Sequence, residues 1–223
     1  MSTLTPTDRT RLRRRPQRGH FDRATIDAIL DATPLCHVGY VIDGAPAVTP
    51  TLQWRHGDRV YWHGASASRA LKASEGMDVC LTVSLLDGLV LARSAFHHSA
   101  NYRSVMIYGR AIVVDDPTEK RAALEAFLER LYPGRWATLR PVQDKEIKAT
   151  RVLSLPIEEA SAKIRDAGPV DDEEDYDVPV WAGVLPLQQT FGAPEPDPRN
   201  LPGVTLDPAS FPPIGHGHGH GHV

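Results

Sequence analysis

The chain has 223 residues, 41% of them hydrophobic and 24% charged, with 25 Lys and Arg against 28 Asp and Glu. That balance suits one globular domain with appendages, and the formal net charge of -3 argues against a protein that works by coating nucleic acid. No apolar run approaches the ~20 residues of a membrane span, no secretory-signal pattern is present, and Cys36 and Cys80 lie in apolar runs as reduced thiols. The expectation is a cytoplasmic protein with no nucleic-acid or membrane partner.

Residues 1–19 form a basic N-terminal segment. Arg9, Arg11, Arg13, Arg14, Arg15 and Arg18, with Arg23 just beyond, read as a solvated, flexible end. An RNA-binding or membrane-surface arm is the sharper alternative. Asp22 then caps a helix whose apolar face is Ile26, Ile29 and Leu30, and Thr33-Pro34 stops it.

The period changes next. Leu35 to Val41 is a strand, Asp43-Gly44 a hairpin signal, and Pro46 to Trp54 the returning strand. A tight turn at His56-Gly57 leads to a third strand, Arg59 to His63, and Ala67 to Ser74 is a short helix. Met77 to Leu85 and Leu89 to Arg93 read as two strands joined by Leu86-Asp87-Gly88, and Ser104 to Val114 as a long final barrel strand.

Asp116-Pro117-Thr118-Glu119 carries a cap, a proline and a glutamate in the order of a helix start. Ala123, Leu124, Phe127, Leu128 and Leu131 follow at helical spacing. A short helix at Asp144 to Ala149 and strands at Thr150 to Leu155 and Ala160 to Ile164 complete the body. The pattern is mainly β with helices, an α+β arrangement of about six antiparallel strands closing a small or split β-barrel.

The folded domain therefore spans 20–168, and 169–223 is an acidic, proline-rich extension with a His-Gly tail. Its patch Val178 to Leu185 is apolar enough to need cover from the body or a partner subunit. His216, His218, His220 and His222 alternate with glycine at the end and are weak metal ligands; no metal site is expected in the core.

The stretch DRVYWHGASASRALK carries the chemistry. A strand ends at His63-Gly64 and small residues follow, with Ser66, Ser68, Arg69 and Lys72. A turn of small residues lets backbone N–H groups approach an anion, and hydroxyls and cations complete a phosphate cradle. An ordinary capped surface helix would look the same. A second donor cluster, His97-His98-Ser99-Ala100-Asn101-Tyr102-Arg103-Ser104, runs into the long strand, and no cysteine or carboxylate stands near His97 and His98 at metal-ligand spacing.

The runs Thr49 to Trp54, Arg59 to Ala65, Ser68 to Lys72 and Phe96 to Val105, in this order, resemble the pyridoxamine 5'-phosphate oxidase-like superfamily of FMN-binding split barrels. The branch with the nitroimidazole-resistance proteins is the most similar, over roughly residues 20–165. The resemblance implies a six-stranded antiparallel split β-barrel and a homodimer with FMN at the subunit interface. It implies that Gly64, Ser68, Arg69 and Lys72 hold the phosphate and that Gln53 and Trp54 lie beside the flavin ring. It further implies that Asn101, Arg103 and Ser104 make polar contacts to the cofactor. His63 stands where relatives carry a histidine near the flavin and is the candidate catalytic residue. Trp54, Trp62 and Tyr102 supply apolar walls for the ring.

The chain departs from true pyridoxamine phosphate oxidases, whose compact Ser-Arg-Lys run is spread here over Ser68-Arg69-Ala70-Leu71-Lys72. No arginine-rich substrate motif follows residue 165. The implied function is an FMN-dependent oxidoreductase acting on a small molecule, with NAD(P)H as a possible electron donor. The alternatives are a non-catalytic flavin-binding protein, or a binder of haem or deazaflavin in the same groove; His63, His97 and His98 keep haem open.

Overall fold

The computed structural model describes residues 2–208. The elements run β1 (Gly19–His20), α1 (Arg23–Ala32), β2 (Leu35–Ile42), β3 (Ala45–His56), β4 (Arg59–Ala65), α2 (Arg69–Ser74) and β5 (Asp78–Leu91). They continue with β6 (Ser99–Arg110), β7 (Ile112–Val113), α3 (Pro117–Leu131), α4 (Asp144–Ala149), β8 (Thr150–Pro156), β9 (Glu159–Arg165) and β10 (Gly183–Pro186). The strand order is β1-β9-β6-β5-β2-β3-β4-β8-β7, with β10 added to β5, and every pairing between these strands is antiparallel. The expected class holds, with ten strands instead of six.

Local chemistry explains most boundaries. The Asp22 carboxylate accepts the Thr25 N–H at 2.8 Å and starts α1, and Asp116 does the same for Glu119 at the start of α3. Asp43 (φ 52°) and Gly44 (φ 77°) both take the left-handed conformation of a two-residue hairpin turn between β2 and β3. Ile26, Ile29 and Leu30 of α1 pack into the main core with Val38, Trp62, Leu81, Ile107 and Leu155.

β3 is shared between two sheets. Its residues 45–52 pair with β2, and Gln53 to His56 pair with β4. This sharing is what splits the barrel.

Three strand assignments change. Leu86-Asp87-Gly88 is not a hairpin: β5 runs through it as a single strand, with only a register shift between Leu86 and Gly88. β6 begins at Ser99, so the polar stretch before Ser104 is strand and not loop. The same strand stops at Arg110, and Ile112–Val113 turns away to pair with β8.

The termini are more ordered than their composition suggests. The Leu4 N–H donates to Phe21 O at 2.8 Å, Arg9 and Thr7 both bond Glu159, and Thr10 is buried. After Gly168 the chain straps back over the body. The buried Asp171 carboxylate accepts the Arg93 backbone N–H at 2.9 Å and its guanidinium at 3.0 Å, and the Tyr176 ring covers that guanidinium. β10 then pairs with residues 88–91 of β5, beyond the reach of β2, closing an edge that would otherwise be open. The tail histidines lie outside the described residues.

Gly88 makes that closure possible, because a Cβ there would lie 2.9 Å from Leu185 O and 3.2 Å from Val184 Cγ1. Gly88→Val should therefore detach β10 and leave the barrel folded. Chymotrypsin should cut at Tyr176 and Trp181 about tenfold faster, equivalent to ~1.4 kcal/mol of easier local opening. Unchanged cleavage would mean the strap is held elsewhere.

Candidate functional site

β4 lies between β3 and β8, and its last residues carry the chain to the site. Gly64 lets α2 fold back on the strand: a Cβ there would sit 3.0 Å from Leu71 Cδ1, and Leu71 is buried. Ser68 caps α2, accepting the Leu71 N–H at 3.4 Å. The turn is a poorer amide cradle than its sequence suggests. The Ser66 N–H donates to Ala149 O at 2.8 Å and the Ser68 N–H to Ala65 O at 2.9 Å, so both are spent within the chain.

An open cleft lies between α2 and strands β2, β3 and β4. Val38, Trp62 and Leu71 form its apolar wall, and Thr49, Thr51, His63 and Ser68 bring polar atoms to it. Of these groups, Thr49 already shares a hydrogen bond of 3.0 Å with the Tyr40 hydroxyl. Arg69 and Lys72 are exposed on α2, outside the lining, as cations at the margin of the element that forms one wall.

His63 is the chemically distinctive member. Its ring packs edge-on against Trp54 (centroids 5.6 Å) and Phe127 of α3 (4.8 Å), and Trp54 stacks on Tyr61 at 5.7 Å. Its Nδ1 is buried without a hydrogen-bond partner among the described residues. Burial pushes the imidazole pKa below 6.5, so the ring is neutral at pH 7. A neutral imidazole with an unpaired ring nitrogen is suited to metal ligation or to hydrogen bonding with a cofactor.

The cleft thus gathers His63, Gly64 and Ser68 from the sequence-derived set. The others lie apart from its lining. Gln53 is 2% exposed and points the other way, its Nε2 donating to Leu30 O (2.7 Å) and Thr33 O (2.8 Å) at the end of α1. Trp54 belongs to the aromatic cluster behind His63. Asn101 is buried and accepts from the Arg165 guanidinium and the Ala167 N–H. Arg103 is paired with Asp87 at 2.7 Å, and the Ser104 hydroxyl donates to Lys163 O at 3.4 Å. His97 contacts Asp172 at 3.3 Å, and His98 contacts Ser94 O at 2.9 Å.

Sequence reasoning missed Thr49 and Thr51 as lining residues, and Phe127 behind His63. The threonines had a signal: they alternate with Val48, Pro50 and Leu52, so one face of the strand is hydroxyl and the other apolar. Phe127 had none beyond helical spacing.

An antiparallel split barrel with a polar-and-apolar cleft beside the β4–α2 turn is the flavin-binding split-barrel fold. The chain matches the family model for pyridoxamine 5'-phosphate oxidase over residues 22–164, and it belongs to that family. Among solved structures it resembles the flavocytochrome Anf3 from Azotobacter vinelandii, with 55% identity, 92% of this chain and 96% of the other covered, and a TM-score of 0.88. The FAD and haem binding protein from Mycobacterium smegmatis is 37% identical, with coverages of 86% and 95% and a TM-score of 0.83. A Bacteroides thetaiotaomicron VPI-5482 protein assigned to 5-nitroimidazole antibiotic resistance shares the fold at 24% identity, with coverages of 64% and 84% and a TM-score of 0.53. No curated protein matches the chain. Among the described residues, no helix is long and apolar enough to cross a membrane.

The environment of His63 has a measurable consequence. Its folded pKa is depressed, so below about 6.5 the unfolded chain binds a proton that the fold resists. Stability from the neutral ring is complete above pH 6.5 and is lost as pH falls through that value toward the folded pKa. Thermal melts between about pH 7 and pH 5 should show a steeper loss for the wild type than for His63→Gln. Parallel curves would show that the ring titrates freely.

Proposed function

We propose that the protein is a flavin- and haem-binding oxidoreductase of the flavocytochrome type. One observation carries this reading. The likeness to a flavocytochrome and to an FAD and haem binding protein covers 92% and 86% of the chain, well beyond the family core at 22–164.

The cleft fits a flavin in kind. Thr49, Thr51 and Ser68 offer hydroxyls, Arg69 and Lys72 offer charge to a phosphate, and Val38, Trp62 and Leu71 offer apolar contact to a ring. Donors for one phosphate suit the FMN expected from the sequence. The likeness to the Mycobacterium smegmatis FAD and haem binding protein favours FAD instead. His63 fits haem, since its imidazole is neutral and its Nδ1 is unpaired.

A bound flavin accepts and releases electrons singly or in pairs, and haem iron exchanges them one at a time. The chain's part is to hold and insulate. The hydroxyls and cations would hold a phosphate, and the neutral, unpaired imidazole of His63 would be available as a ligand. Trp54, Tyr61 and Phe127 pack behind that imidazole and exclude water from it.

The absorbance spectrum of the purified protein tests the reading: a flavin double band together with a Soret band is expected. Flavin released on denaturation identifies FAD or FMN. His63→Ala should lose the Soret band and keep the flavin. Arg69→Ala should weaken flavin binding by about 1.5–3 kcal/mol, and Lys145→Ala should leave it unchanged. A wild-type spectrum with flavin alone would return the reading to a simple flavoprotein.

We further propose a two-fold homodimer. Val48 and Leu52 of β3 pair in register with Gly39 and Leu35 of β2, and Val41 lies further along the same outer face. Leu35, Val41, Val48 and Leu52 are 48%, 53%, 66% and 41% exposed, an apolar face that a monomer would leave in water. The cleft threonines sit on the opposite face of β3, so interface and site share one strand. Light scattering should give a dimer, and Val48→Asp with Leu52→Asp should give a monomer that holds flavin more weakly. A monomeric wild type with tight flavin would overturn the dimer.

A further inference from the structure

The arginines of loop 11–18, RLRRRPQR, play no part in the cleft or in the apolar face. Arg11, Arg13, Arg14 and Arg15 are exposed, and none makes a side-chain hydrogen bond or ion pair with another described residue. Other arginines behave differently: Arg9, Arg23, Arg55, Arg93 and Arg103 all pair with carboxylates. The cluster is not a by-product of a basic chain, because the formal net charge is -3.

Nor is it a loose end. On one side Thr7 and Thr10 bond each other, and Thr10 is buried. On the other, the Arg18 N–H donates to Arg15 O at 3.0 Å, and β1 pairs with β9. Arg15 itself is held at φ 57°, ψ 57°, a left-handed conformation that a long side chain seldom adopts. The fold therefore keeps four unpaired guanidinium groups on a loop tied at both ends, where like charges repel and ordering them carries an entropic penalty.

We propose that this loop is the docking surface for an acidic electron-carrier protein, the donor to the redox site; this rests on the oxidoreductase reading. Guanidinium forks match carboxylates two bonds at a time, and a compact basic patch on an otherwise acidic protein steers an acidic partner to one place. In each encounter the reduced carrier loses one electron and the redox group of this protein gains it. The two other polyanions fit less well. A membrane-surface loop needs apolar anchors, but the one aliphatic side chain here, Leu12, is turned inward, with its Cδ2 3.3 Å from where a Cβ on Gly19 would lie. A nucleic-acid groove needs a long basic stripe, and this patch is one short loop.

The test uses the full-length protein with its bound chromophores, and a plant-type [2Fe-2S] ferredoxin and a flavodoxin as acidic probes. Affinity is read by titration and electron transfer by stopped-flow absorbance. Both should fall about tenfold or more between about 20 mM and about 300 mM salt. Arg13→Glu/Arg14→Glu/Arg15→Glu should reduce both about tenfold at low salt. Its cofactor content, melting temperature and reduction by dithionite should match the wild type.

Salt-insensitive binding, or a variant that docks as well as the wild type, would overturn the proposal. So would docking without electron transfer. Tighter retention of single-stranded RNA or phosphatidylserine vesicles than of either carrier would assign the loop to those polyanions instead. Loss of the dimer in the variant would assign it to a second copy of the chain. A preparation with no chromophore would defeat the oxidoreductase reading, and with it the role as electron donor site. A preparation that has chromophores but does not dock either carrier would defeat only the docking.

Discussion

The architecture depends on β3 belonging to two sheets. Its first part pairs with β2, and from Gln53 onward it pairs with β4. The changeover is locked at Gln53, whose backbone N–H donates to Pro34 O at 2.7 Å while its side-chain amide bonds two carbonyls at the end of α1. A buried carbonyl left without a partner carries a penalty, and the Gln53 amide supplies a donor to both. One amide thus ties the end of the helix to the changeover in β3, directly after the segment that carries Thr49 and Thr51 to the cleft.

The site inherits its character from this frame. His63 comes from the strand that β3 pairs with, Phe127 from the helix that packs on it, and Ser68 from the turn that Gly64 allows to fold back. Polar atoms reach the cleft from β3, β4 and the turn before α2, and apolar wall fills the space between. Burial on the aromatic side keeps His63 neutral. The same packing that stabilises the core leaves His63 Nδ1, like Trp54 Nε1 beside it, without a partner among the described residues.

The two Asp-Gly pairs show how far local signals reach. Asp43-Gly44 forms the hairpin its dipeptide predicts, with both residues at positive φ. Asp87-Gly88 carries the same signal and lies within a continuous strand. There the Asp87 carboxylate is taken by Arg103 across the sheet, and Gly88 is needed small because β10 passes over it. Turn chemistry decides where nothing else competes. At Asp87-Gly88 a salt bridge across the sheet and an added strand compete, and they outweigh it.

By itself the sequence determined the helix starts at Asp22 and Asp116, the β2–β3 hairpin and the family resemblance. These follow from caps, periodicity and short motifs, whose physics acts within a few residues. Only the tertiary structure decided that Gln53, Asn101 and Arg103 serve the scaffold around them, that Thr49 and Thr51 line the cleft, and that the acidic extension is a strap. A polar side chain in a sequence carries its hydrogen-bonding capacity but not its partner. Gln53 could have faced a flavin as readily as the end of α1, until the crossing of β3 between two sheets placed the carbonyls of Leu30 and Thr33 within 3 Å of its amide.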